Sequence, residues 1–137
     1  MIKSLYQQIF TLFSEEISGS HNDFYTGIGG RFYKGSTLPN ATYPYCVMFP
    51  ITDTYDWNFT ESFENIVVQF SIYSDKNNLS EIEDLTMDLW NLFDWAKITL
   101  TGDRFIYMRR EVQSLYRDLD SIWISVTRYR ILVERGA

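Results

Sequence analysis

His21 is the only histidine in the chain, and its ordinary pKa would let it move a proton near neutral pH. It lies in a polar stretch, Ser18 to Asp23, with no nucleophile or companion ligand beside it, so neither a base–nucleophile pair nor a metal site is expected there. Asp53, Asp56, Glu61 and Glu64 carry the oxygen ligands that suit Mg2+ or Ca2+. Their spacing matches no EF-hand loop and reads as solvated loop acids. Asp84 and Asp88 share a helix face, and without a cleft they read as solvent-facing; Asp118 and Asp120 read as turn residues. Gly27-Ile28-Gly29-Gly30 would cradle a phosphate only between a strand and a helix. Here a short strand is expected after it, at Arg31-Phe32-Tyr33, and the lysine-hydroxyl end of a phosphate loop is missing, so the segment reads as a flexible lead-in. Cys46 stands alone inside an apolar run and reads as a small buried hydrophobe. No catalytic residue, metal or cofactor is expected, and the chain is not expected to be an enzyme.

Two residue sets remain as candidates for contact rather than chemistry. Arg109, Arg110, Arg128 and Arg130 fall on the closing pair of strands. They either pair across strands with acids such as Glu111 and Glu134, or offer a surface to an acidic partner, such as an acidic helix of a neighbouring copy. Tyr55, Trp57 and Phe59 alternate through a turn-rich connection, Asp53 to Ser62. They either ride on a projecting hairpin arm and bury against a neighbour, or fold back on the sheet.

The elements that must position these residues follow from periodicity. Ile2, Leu5, Tyr6, Ile9, Phe13 and Ile17 recur at helical spacing, which predicts a helix over about Ile2 to Ile17 with Gly19 as its stop. Tyr43-Pro44 opens a strand to Thr52, in which Pro50 lacks an amide donor and marks an edge or a bulge. Ile66, Val68, Phe70 and Ile72 alternate with Val67, Gln69, Ser71 and Tyr73, a half-buried strand over Phe63 to Tyr73. Ser80 and Glu83 form a capping-box pattern for a helix over Ser80 to Trp95, with Ile82, Leu85, Leu89, Leu92 and Phe93 as its apolar stripe. A short strand is expected over Lys97 to Leu100. Two long strands close the chain, about Phe105 to Tyr116 and Ser121 to Glu134. In the last, Val126, Arg128, Arg130 and Leu132 share one face and Thr127, Tyr129, Ile131 and Val133 the other; the residues leave open which face meets the helices. The expected fold is α+β, one domain over residues 1–137, with a mostly antiparallel sheet of about four to five strands and two helices on one face.

Composition sets limits on partners. A net charge of −6 argues against a protein that coats DNA or RNA. Ten tyrosines, ten phenylalanines and four tryptophans exceed what a core of this size hides, which predicts aromatic contact surface. No signal-peptide pattern and no membrane-length apolar run is read, so cytoplasmic synthesis is expected and the three glycosylation-like sequons at Asn40, Asn58 and Asn78 read as chance.

Taken together, the opening amphipathic helix, Leu38-Pro39 to Tyr43-Pro44-Tyr45, the strand Val68-Gln69-Phe70-Ser71-Ile72-Tyr73 leading into the Leu79 to Trp95 helix, and the closing hairpin from Arg117-Asp118 to Tyr129-Arg130-Ile131 resemble the tailed-phage tail completion or tail terminator proteins, also called head-tail joining or minor tail proteins. The resemblance implies a virion protein that assembles with itself as a ring, typically a hexamer, on the last ring of the tail tube. That ring would stop tube growth, join the tail to the head connector, and let DNA pass through its lumen without specific binding. The alternatives are a neck or head-closure adaptor on the portal side and a small-molecule binding module. If the aromatic connection is an interface, Trp57→Ala weakens assembly by about 2 kcal/mol or more; normal assembly and head joining by that variant would exclude the assignment.

Overall fold

A strand that buries every second residue must be covered on one side and can stay open on the other. The chain builds on that rule. In the computed structural model, which describes residues 3–36, 40–57 and 61–136 and only the backbone of Trp57, the elements run α1 (Lys3–Ser14), α2 (Asp23–Ile28), β1 (Phe32–Lys34), β2 (Tyr45–Trp57), β3 (Ser62–Ser74), α3 (Ser80–Phe93), β4 (Arg104–Arg117) and β5 (Trp123–Glu134). The sheet order is β1-β2-β3-β5-β4; β1 pairs parallel with β2, and the other neighbours are antiparallel. β3 and β4 therefore run the same way with β5 slotted between them, and α3 is the crossover that joins them. The α+β expectation holds, with five strands and a third, short helix among the described residues.

All three helices lie on one face. Ile66, Val68, Phe70 and Ile72 of β3 are fully buried, in one cluster with Leu5, Ile9 and Phe13 of α1, Phe24 and Ile28 of α2, and Ile82, Leu85, Leu89 and Phe93 of α3. Phe70 is central: its ring stacks on Phe93 at 4.7 Å and meets Tyr129 edge-on at 5.7 Å. In β5 it is Thr127, Tyr129, Ile131 and Val133 that face the helices, which settles the face left open above.

A polar ladder pins α3 to β5. Thr86 Oγ1 lies 2.6 Å from Ser125 Oγ, Trp90 Nε1 donates to Thr127 Oγ1 at 3.2 Å, and the Tyr129 hydroxyl donates to Asp94 Oδ1 at 2.6 Å. Steps of four residues along a helix advance about 6 Å. Steps of two along a strand advance about 6.6 Å. The two series therefore stay in register over three rungs.

Several expectations are corrected. Ser18 to Asn22 is turn and coil, but the glycine segment is not a flexible lead-in: Gly27 and Ile28 end α2, which Asn22 caps by accepting from the Tyr25 amide at 2.8 Å, and Gly29 closes it in the left-handed conformation, φ 59°. α1 ends at Ser14, and Ile17 leaves the apolar stripe; it bonds Ser20 across a tight turn whose central residues, Ser18 and Gly19, both have positive φ, and is 71% exposed. The Ser80–Glu83 capping box does not form: the helix begins after Leu79, the Asn78 side chain accepts from the Ser80 amide, and Ser74 donates to Glu81. α3 stops at Phe93, and residues 97–100 are not a strand, although Ile98 and Leu100 are buried. Pro50 does mark a bulge, with the β2–β3 register shifting between Pro50 and Thr52. Ile2, Leu38 and Pro39 fall outside the described residues.

Phe70→Ala should cost about 3–5 kcal/mol, because the rings around it cannot collapse into the space left. Urea unfolding measures this; a loss under about 1 kcal/mol would mean that Phe70 does not anchor the core.

Candidate functional site

With the helices on one side, the opposite sheet face carries no covering element among the described residues. Its register places Tyr45, Val47 and Phe49 of β2 beside Tyr73, Ser71 and Gln69 of β3, and these beside Ile124, Val126 and Arg128 of β5. Tyr33, Tyr43 and Tyr73 surround Tyr45, with ring centroids at 6.1, 5.3 and 4.8 Å. This crowding buries the Tyr45 hydroxyl and pushes its pKa up to about 12, chiefly through burial. The sequence reading did not single out these tyrosines as a group. They come from three separate segments, β1, the entry to β2 and β3, and only the β1–β2–β3 pairing brings them together.

The arginine set divides. Arg109, Arg128 and Arg130 lie on the uncovered face, since Arg109 pairs with Arg130 and Val112 with Arg128 across β4–β5. Arg110 points to the helix side, where its guanidinium stacks 3.7 Å above the Trp90 ring and lies 3.3 Å from Asp94. On the uncovered face, Arg130 Nε donates to Glu111 at 2.5 Å and Nη1 to Asn65 at 2.5 Å. Arg109 lies 3.8 Å from the same Glu111, and Arg128 donates to Gln69 at 2.9 Å. Cross-strand pairing with Glu111 is therefore present, whereas Glu134 takes Arg104 instead of one of the four.

The aromatic connection is strand for most of its length. β2 continues to Trp57 and β3 begins at Ser62, so Asp53 to Trp57 form one limb of a long hairpin rather than a turn-rich loop. β1 pairs only with Cys46, Val47 and Met48, and among the described residues no strand lies on the outer side of β2 beyond them. Residues 51–56 are exposed, Tyr55 by 53%. Phe59 and the Trp57 side chain lie outside what the structure describes.

Glu64 was expected as a solvated acid and is instead buried in β3, paired with Arg135. Burial raises its pKa first, helped by Asp53, and Arg135 opposes the shift. His21 stacks on Tyr25 at 3.6 Å with Nε2 3.2 Å from Glu16. Asp118 accepts from the amides of Asp120 and Ile122 and shapes the β4–β5 turn. Among the described residues, no group of three His, Cys, Asp or Glu side chains is placed to hold a metal, and no helix is long and apolar enough to cross a membrane.

A second surface was not anticipated. The distal half of β4, residues 111–117, is exposed on both faces, with Val112, Leu115 and Tyr116 among the exposed apolar side chains. Beside it, Met87, Trp90, Thr86, Glu83, Gln113 and Leu115 line a groove of about 330 Å³ between α3 and the strand. The residues Val112-Gln113-Ser114-Leu115-Tyr116 show no one-sided alternation, so periodicity gave no sign of a two-faced edge.

Glu111 has its pKa held below the ordinary carboxylate value of 4.5, first by the Arg130 hydrogen bond. A group with a lowered folded pKa contributes stability above its unfolded value, and that contribution disappears as pH falls through the folded value. Glu111→Gln should therefore lower stability at pH 7 and flatten its decline below pH 4.5. Urea melts across that range test it; an unchanged pH profile would show that the pair contributes nothing.

No family model matches the sequence, and no curated protein matches it. Among solved structures, a chain in the virion of a native gene transfer agent particle superposes with a TM-score of 0.80 at 12% identity, covering 95% of this chain and 94% of that one. At that identity the likeness establishes a shared fold, end to end.

Proposed function

We propose that this chain is a structural virion subunit of a phage-like particle, without enzymatic activity, that closes as a ring on the end of a tail tube, stops its growth and joins it to the head connector. The observation that carries the virion reading is the end-to-end fold likeness to a chain of a gene transfer agent virion. The terminator role rests in addition on the sequence resemblance described above. The physical logic is consistent. A tube grows by repeating one heterologous contact between rings, and a cap must match the tube on one face without matching itself on the other. DNA passing through such a ring favours an acidic or weakly charged lumen, and the net charge of −6 agrees with that. Synthesis in the host cytoplasm followed by incorporation at the tail–head junction completes the reading.

Native mass spectrometry over a concentration series, with negative-stain images of the same samples, tests it. The expected result is a closed ring, six subunits around a central hole, formed by the protein alone or on purified tail tubes. Binding to the portal side and not to tubes would replace the terminator by a neck adaptor. A strict monomer that binds neither would overturn the virion reading.

A further inference from the structure

The sheet ends in two open edges, one on β2 and one on β4. On one side, residues 51–57 of β2 have no strand beyond them among the described residues; on the other, β4 closes the sheet, and its residues 111–117 are exposed on both faces. Each edge is seven residues, about 23 Å of strand. Long apolar edges are ordinarily blunted by charge, proline or cover, because they template pairing with another chain. Here Val112, Leu115 and Tyr116 stand exposed on one edge and Ile51 and Tyr55 on the other. Residues 51–57 carry Asp53 and Asp56 and no lysine or arginine, while residues 111–117 carry one charge of each sign, Glu111 and Arg117, so the acidic arm meets an edge of no net charge rather than a like-charged one.

Resting on the reading that the chain assembles with itself, we infer that the β2–β3 arm of one copy adds to the β4 edge of the next and continues its sheet. The strand directions agree with this. β2, β3, β5 and β4 alternate in sense, so a neighbour of the same orientation brings its β2 antiparallel to β4, the sense of the other long pairings. The faces agree as well. Tyr55 shares the helix-side face with Glu64, and Leu115 shares it with Ser125, so Tyr55 would lie toward the groove formed by Leu115, Met87 and Trp90. Each added copy leaves one free arm and one free β4, so the contact is heterologous and repeats. The arm lies at one end of the strands and the distal β4 at the other. Successive copies are thus offset by roughly 20 Å along the strands, and the strands incline to the ring axis as they do in a closed barrel.

Single-cysteine copies test the pairing. Thr54 and Ser114 are exposed and face the uncovered side of the sheet, and the sole native thiol, Cys46, is buried, so the wild type serves as control. T54C and S114C proteins, each checked for an unchanged thermal melt, are treated with a short bis-maleimide separately and mixed, alone and on tail tubes. A second pair, T54C with Y116C, covers a register shifted by two residues. A dimer band in a mixture and in neither single sample is expected. Equal cross-linking of T54C or S114C alone would mean a two-fold contact and overturn the inference. Rings in native mass spectra with both mixtures negative would overturn it and leave the ring reading standing. Monomers throughout, with no cross-link, would overturn both.

Discussion

One-sided cover of the central strand governs this molecule. β3 places Ile66, Val68, Phe70 and Ile72 wholly under the helices, and because side chains alternate, the residues between them are committed to the other face. A slip of one residue would carry Val67, Gln69, Ser71 and Tyr73 into the core and leave two polar side chains there without solvent. The register that buries the phenylalanine also fixes where the tyrosines and arginines of the neighbouring strands emerge. Core and surface are therefore a single specification.

The parts legible in the sequence were those with a period. The β3 alternation and the stripe of α3 give their elements almost residue for residue, and the closing hairpin falls within two residues at all four of its ends. What was not legible depended on competition between local partners. Ser80 and Glu83 have the spacing of a cap, yet Glu81 is drawn to Ser74 and Asn78 takes the first amide. The glycines after Gly27 suggest mobility, yet Asn22 upstream supplies a helix start that composition alone does not advertise. Ile17 has the right spacing for the core and misses it because α1 stops at Ser14 and Ile17 opens the turn through Ser18 and Gly19.

The candidate site shows the same division. The arginines were found by type, but only strand pairing reveals that Arg110 leaves the others for Trp90 and Asp94. Glu64 looked like its neighbouring acids until the arm proved to be strand, which places it opposite Tyr55 and within reach of Arg135. Spacing identifies residues that can act together along one segment. It does not identify the neighbours that a sheet brings from remote segments, and the exposed edge of β4 is a property of those neighbours.

The ladder between α3 and β5 has a mechanical consequence. Its rungs are commensurate in spacing but chemically unlike: hydroxyl to hydroxyl, indole to hydroxyl, phenol to carboxylate. Sliding the helix forward by one rung would set Thr86 against Thr127 and Trp90 against Tyr129, and strand Asp94 beyond its phenol. The pair therefore behaves like a keyed joint with one seating. A pull along β5 is shared at once by α3, and shear between the two layers meets three differently shaped teeth before it meets the oily core.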